Sequence, residues 1–236
     1  MTAKITIVTV VLNQADALRQ TMQSVFDQSY QNLDYIIIDG DSTDGTLDVI
    51  KAAESRLSAW ESDPDNGIYD AMNKGWALAD PESLVLFLGA GDRLISVPEN
   101  FPPVGDRMVL FGNVSLENNQ VFYARADFRL KLFNTLHHQA LLIPKWLHPQ
   151  PPFNLEYPHY ADFDFNQRLY KKQVAFRFSS QLKSYAAPGG VTERLVLGEL
   201  RRIVLENFGF FWAWLSMFGF KIAKHLPLIQ KLRPIR

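Results

Sequence analysis

The sequence predicts an α/β protein with a mostly parallel central sheet flanked by helices and a helical extension at its C-terminal end. Three observations carry this expectation. Short unbroken apolar runs rich in β-branched residues occur at 5–12, 35–38 and 84–88, the pattern of strands covered on both faces. Segments with apolar residues at helical spacing lie between them, and strands alternating with helices argue for a doubly wound parallel sheet. Finally, residues 192–225 contain few helix breakers and are rich in apolar side chains.

The elements follow in order. Residues 5–12 (ITIVTVVL) form the first strand. They run directly into polar Asn13 and Gln14 with no small-residue cleavage site, so they are read as a buried strand and not a signal peptide. Residues 16–28 place Leu18, Met22, Val25 and Phe26 on one helical face. A second strand at 35–38 is followed by STDGT at 42–46, which opens a helix through Val49, Ile50 and Leu57. Residues 68–79 are helical by spacing, and 84–88 (LVLFL) form a third buried strand. The proline-rich stretch 97–104 marks a change of style. Strand-like pieces at 108–114, 120–123 and 140–143, a helix at 160–172 and a strand at 174–178 complete the body.

Composition narrows the function classes. The 236 residues hold no cysteine, which excludes a disulfide scaffold, a zinc-thiolate site and a cysteine nucleophile. The net charge of −1 conceals an asymmetry. From Glu199 onward seven Lys/Arg face two acids (+5), against 17 and 23 (−6) in the rest. An acidic body with a basic, apolar tail does not fit nucleic-acid binding; it fits contact with an anionic membrane surface. Within the tail, residues 208–220 (FGFFWAWLSMFGF) carry no charge and are flanked by Arg201, Arg202, Lys221 and Lys224. The run is shorter than the roughly 20 residues a bilayer span needs. It reads either as a core helix or, given its basic flanks and two tryptophans, as an interfacial one.

Three motifs stand at the ends of the predicted strands, where ligands of open α/β sheets bind. Asp39 opens DGDSTDGT and is suited to accept hydrogen bonds from a ribose or a nucleobase, while Ser42 and Asp44 are helix-capping types. DPDNGIYDAMNKG at 63–75 combines a turn at Asp65 with Asp70, Asn73 and Lys74 on one helical face. LGAGD at 88–92 ends in Asp92, a residue type that holds Mg²⁺ or Mn²⁺ together with substrate phosphates.

In this order and spacing, the motifs closely resemble those of the family-2 glycosyltransferases, in particular small bacterial enzymes of exopolysaccharide and colanic-acid-type assembly. His138-Gln139 resembles the family's His-Gln element, Ala161-Asp162-Phe163-Asp164 its acidic-pair helix, and Gly189-Gly190-Val191-Thr192 its Gly-Gly-Val-Ser loop. The tail's own composition marks 193–236 as an expected membrane-interfacial extension. The resemblance implies a GT-A domain, expected over 1–192, a divalent metal, and inversion at the anomeric carbon. It assigns Asp162 as the general base, Asn13, Asp39 and Asp65 to the nucleoside, and Asp92 to the metal, with His138 binding metal or phosphate. Lys74 either touches phosphate or pairs with Asp70. Three positions depart from the family's pattern: Gly91 stands where an Asp is common, Ala161 replaces an acidic or Ser partner, and Asp41 occupies a small-residue position. The implied activity is transfer of a sugar from a nucleotide-diphosphate donor to an acceptor hydroxyl, expected to be that of a lipid-linked glycan in surface-polysaccharide assembly. The expected location is the cytoplasm, peripherally on the inner membrane. The alternatives are a non-catalytic sugar-nucleotide-binding relative and a nucleotidyltransferase, whose Gly-rich, Lys/Arg-containing signature is missing after the first strand.

Overall fold

Four strands and three helices alternate through the first third of the chain: β1 (Ile5–Val11), α1 (Ala15–Phe26), β2 (Leu33–Asp39), α2 (Thr46–Ala52), β3 (Ala59–Ser62), α3 (Ile68–Leu78) and β4 (Leu84–Gly89). The computed structural model of the chain describes residues 3–101, 105–148, 150–188 and 196–225. The later elements are β5 (Arg93–Ser96), β6 (Met108–Ser115), β7 (Val121–Phe122), β8 (Leu141–Pro144), α4 (Ala161–Lys171), β9 (Ala175–Tyr185), α5 (Leu197–Phe208) and α6 (Phe210–His225). The sheet runs β3-β2-β1-β4-β8-β6-β9-β5, with β7 beside β6. The first four strands are mutually parallel. β8 joins β4 and β6 antiparallel to both, β9 lies parallel to β6, and β5 antiparallel to β9.

Register explains why the motifs converge. Val11 pairs with Asp39, Asp39 with Ser62, and Val10 with Gly89. The carboxyl ends of four parallel strands therefore share one edge, and the loops leaving them share one cleft. Side chains alternate across a strand, so the two faces can be assigned. Tyr35 meets Phe26 of α1 edge-on at 5.6 Å, whereas Val8 and Ile38 face α3. Helix α3 seats directly on Val8 because residue 75 is glycine; a Cβ there would lie 2.2 Å from Val8 Cγ1. Buried Trp76, stacked on Phe87 and edge-on to Phe165, extends this core from α3 to α4.

The structure differs from the sequence expectation at three places. Strands β3 (AWES) and β5 (RLIS) are additional; each is four residues long, β3 is only partly buried and β5 buries Leu94 alone, so neither presents an apolar run. β9 continues to Tyr185, well past residue 178, through a largely exposed and polar stretch. The predicted C-terminal helix is two helices, broken at Gly209, whose φ of 87° leaves the right-handed helical region. The Gly-Gly-Val-Thr motif at 189–192 lies outside the described residues.

The two tail helices differ in how they are held. α5 buries Leu200, Ile203 and Val204, and its Asn207 donates to Asp164 (2.9 Å) and Gln167 (3.2 Å) of α4. α6 buries Ala213 and Ser216 but leaves Phe210 (70%), Phe211 (64%), Trp214 (55%) and Phe218 (47%) exposed. Among the described residues no helix is long and apolar enough to cross a membrane.

Candidate active site

The β2 end organises the first part of the cleft. Asp39 is fully buried, and its carboxylate accepts from the Ser42 amide (3.1 Å), the Ser42 hydroxyl (2.5 Å) and the Ser62 hydroxyl (2.7 Å). Asn13 stands across from it. Its amide donates to Ser42 Oγ (2.7 Å), and its side-chain oxygen accepts from the Thr43 amide (2.8 Å). Asn13 and Asp41 have left-handed backbones, with φ of 52° and 68°, a conformation that Asn and Asp tolerate better than most residues. Asp65 closes this group: its carboxylate accepts from the Gly67 amide (2.8 Å) and lies directly over Gly40, where a Cβ would be 2.5 Å from Oδ2. Asn13, Asp39 and Asp65 are thus brought together.

Lys74 is one turn further along α3 and does not pair with Asp70, which corrects one of the two sequence readings. Its ammonium donates to the Asp63 (3.3 Å) and Pro64 (2.9 Å) carbonyls, bracing the loop that carries Asp65. Asp70 instead accepts from the amide and side chain of Asn66 at 2.9 and 3.0 Å, and Asn73 exchanges two hydrogen bonds with the Phe153 backbone.

Asp92, at the β4 end, is 5% exposed. One oxygen accepts from the Gly89 amide (2.7 Å) and the other from the Ala187 amide (2.9 Å), tying the β4 loop to the end of β9. Burial dominates its titration and pushes the carboxyl above 3.8, against the opposing influence of His138 and of these two amides.

Asp162 occupies the first turn of α4. Its Oδ1 accepts from the Tyr69 hydroxyl (3.0 Å) and the Phe163 amide (2.8 Å), and its Oδ2 from the Asn134 side chain (3.1 Å). His138 Nδ1 is 3.6 Å from Oδ2, outside hydrogen-bonding length, and this buried nitrogen has no other partner among the described residues. Burial opposes ionisation of Asp162 too, but here the His138 imidazole and the Tyr69 hydroxyl outweigh it and hold the carboxyl below 3.8. His137 is buried against the Phe122 ring at 4.3 Å, and desolvation lowers it to about 4. The sequence grouped His138 with Asp92; in the structure its Nδ1 is directed at Asp162. Among the described residues no cluster of three His, Cys, Asp or Glu side chains stands close enough to hold a metal unaided.

Residues 6–93 match the family described as Glycosyl transferase family 2. A PGL/p-HBAD biosynthesis glycosyltransferase of Mycobacterium bovis (strain BCG / Pasteur 1173P2) is 30% identical over 211 residues, which are 83% of this chain and 82% of that protein. The chain belongs to glycosyl transferase family 2. An uncharacterized glycosyltransferase of Mycobacterium tuberculosis is 38% identical over 90 residues, 38% of this chain and 34% of its own. Solved structures agree on the fold. S. aureus TarS superposes with a TM-score of 0.63 at 16% identity, covering 86% of this chain; the chain spans 39% of the length of that structure. The mannosyltransferase PcManGT of Pyrobaculum calidifontis, in complex with GDP-Man and Mn²⁺, gives 0.61 at 16%, covering 88% of this chain and 64% of its own. The protein is a GT-A-fold glycosyltransferase.

Several residues of this glycosyltransferase's site were not singled out from the sequence. Tyr69 lies inside the DNGIYDAMNKG motif, where a buried helix position hid its hydroxyl's role. Glu199 of α5 accepts from the His159 and Tyr160 amides (2.9 and 2.7 Å) and from the His159 ring (2.8 Å), capping the helix that carries Asp162. Asn134 reaches the same carboxylate from a connecting segment. Neither Glu199 nor Asn134 lies near Asp162 in sequence, and no local pattern signals these contacts.

Proposed function

We propose that this glycosyltransferase inverts the anomeric carbon of a nucleotide-diphosphate sugar while transferring it to an acceptor hydroxyl, with Asp162 as the general base. The observation that carries this reading is the state of Asp162: a carboxylate only 12% exposed, kept ionised, and joined through the Tyr69 hydroxyl to α3, the helix entered from the Asp65 turn. A base must be within reach of the acceptor and unprotonated at working pH, and Tyr69 and Asn134 fix its orientation without neutralising it. The acceptor's proton passes to the Asp162 carboxylate as its oxygen attacks. Asn13, Asp39 and Asp65 supply hydrogen-bond acceptors for the nucleoside. Lys74 holds the intervening loop in place, so it acts on the donor through Asp65.

The site fits a divalent cation only as a shared one. The burial of Asp92 favours a counter-charge, and Mg²⁺ or Mn²⁺ is commonly held by one or two carboxylates with substrate phosphates. Asp92 would be the protein's ligand, and the cation would neutralise charge on the leaving diphosphate. Complexes of structural neighbours support the donor class: S. aureus TarS 1-349 with UDP-GlcNAc, and PcManGT with GDP-Man and Mn²⁺.

The acceptor is proposed to be a lipid-linked glycan in surface-polysaccharide assembly, reached from an anionic membrane surface on the cytoplasmic side. The exposed aromatic face of α6 and the tail's charge balance of +5 support this. Arg202 contributes little to that charge, being paired with Glu156 (2.5 Å) and Glu206 (2.7 Å). The test is a panel of UDP-, GDP- and dTDP-sugars, read by thermal stabilisation and by product formation with and without Mn²⁺. A panel in which no sugar nucleotide stabilises the protein or is turned over overturns the reading.

A further inference from the structure

The segment between residues 130 and 134 touches the tail helices on one side and the proposed base on the other. Lys131 places its ammonium 4.5 Å from the Trp212 ring centre and 5.6 Å from that of Phe208. The Leu132 carbonyl accepts from the Ser216 hydroxyl at 2.7 Å, and Ser216 is fully buried. The Phe133 ring lies against Gly219 so closely that a Cβ there would be 2.9 Å from Cζ. The next residue, Asn134, donates to Asp162 Oδ2 at 3.1 Å. Its own oxygen is met by Asn166 of α4 at 3.4 Å, and the Leu130 carbonyl by Gln167 at 3.0 Å.

We infer that Asn134 is a positioning residue for Asp162, and that α6 holds it in place through Lys131, Leu132 and Phe133. The tail is then part of the catalytic apparatus as well as a contact with membrane. The physical case rests on orientation. A carboxylate can turn about its side-chain bonds, and the Tyr69 hydroxyl and Phe163 amide both engage Oδ1. Asn134 donates to Oδ2 at 3.1 Å, nearer than His138 Nδ1 at 3.6 Å, so it has the larger part in setting where the second oxygen points. α4 holds this segment from one side through Asn166 and Gln167, Thr135 ties its end to Arg125, and the docked face of α6 braces it from the other side. Misplacing a reacting group by about 1 Å costs about 100-fold in rate, so a loosened Asn134 is expected to be felt in turnover.

This inference rests on Asp162 being the base, and the experiment separates the two. Asp162→Asn is measured first; if it transfers sugar at the wild-type rate, the base assignment fails and the inference falls with it. If Asp162→Asn is inactive, Asn134→Ala is expected to lower kcat about tenfold with donor KM changed less than twofold. It should also move the acidic limb of the rate profile to higher pH, because a donor to the ionised carboxylate has been lost. Asn134→Gln, which keeps an amide donor, is expected to recover part of kcat. Ser216→Ala and Gly219→Val act only through the segment and should shift kcat and the acidic limb in the same direction. Gly219→Ala, whose single Cβ meets the Phe133 ring, provides the same readout should Gly219→Val fail to fold. Wild-type kcat and pH profile in Asn134→Ala would overturn the positioning role. A normal profile in both Ser216→Ala and Gly219→Ala would overturn the link to α6.

Discussion

Asp92 and Asp162 invite comparison because both are buried carboxylates at the cleft, and both feel His138, yet they titrate in opposite directions. Asp92 is held chiefly by two main-chain amides, with the Gln139 side chain beside them, at the end of a strand whose neighbours are fixed by sheet register. Asp162 is met by side chains from three separate parts of the chain: Tyr69 of α3, Asn134, and His138 just beyond bonding distance. On acidification Asp92 therefore takes up its proton before Asp162. Two carboxyl groups driven apart in this way are suited to different tasks, one to share a cation with a phosphate and one to accept a proton.

The sharpest way to break this comparison is to exchange each carboxylate for its amide. Asp162→Asn is expected to lower turnover by about 10² to 10⁴-fold, the usual share of a general base, while donor affinity measured by calorimetry stays near wild type. A parallel collapse of donor affinity would move Asp162 to the nucleotide side. The next largest effect concerns His137, buried neutral beside the same carboxylate. A histidine with its folded pKa lowered from 6.5 to about 4 loses stability as pH falls between those values, by up to about 3 kcal/mol. Thermal melts of His137→Phe should show a smaller loss over that window than wild type; identical pH dependences would remove His137 as the cause.

At Asp92 two contributions need to be separated. Asp92→Ala leaves the Gly89 and Ala187 amides unpaired, which is expected to cost about 1–3 kcal/mol each if they stay buried. Asp92→Asn keeps an acceptor and should melt nearer wild type, yet lose most of its activity and its response to Mn²⁺. If Asp92→Asn retained a wild-type Mn²⁺ response, the carboxylate would be a clasp only. The smallest expected effect is at the membrane. Charged substitutions at exposed Phe211 and Trp214 should reduce flotation with anionic liposomes while leaving donor binding in solution unchanged, and high salt should strip the wild type only partly. Wild-type protein that remains at the bottom of the gradient would mean that α6 meets something other than lipid.

How much was legible in the sequence follows the same divide. β1, β2 and β4 are buried on both faces, so their composition alone announces them, and their register places Asp39 and Asp92 without further information. Asn13 and Asp65 came from the resemblance to the family, since turn chemistry alone also allowed Asp65 to be a helix cap. β3 and β5 were not legible, because four residues with at most one buried side chain are too few to show a pattern. On the Asp162 side the motif located the carboxylate but not its partners, since Asn134, Glu199 and Asn207 make contacts 28, 40 or more residues away in the chain. The tail shows the same limit. Its apolar content was visible, but the break at Gly209 divides a docked α5 from a half-exposed α6. A truncation intended to test membrane contact therefore belongs after Phe208, because a cut near Glu199 would remove the buried side chains of α5 and the cap on α4.

The close seating of α3 on Val8 has a consequence for how effects at the Asp65 loop and at Asp162 combine. This one helix grips the Asp65 loop through Lys74, touches Asp162 through Tyr69, and holds the Phe153 and His148 backbones through Asn73 and Trp76. Val8 leaves no room at position 75 for even a methyl group. A tilt of α3 is thus transmitted to both places at once, and their geometries are not independent variables. Paired substitutions such as Lys74→Met with Tyr69→Phe should then show a coupling energy of about 0.5–3 kcal/mol in a double-mutant cycle, although the two residues never meet.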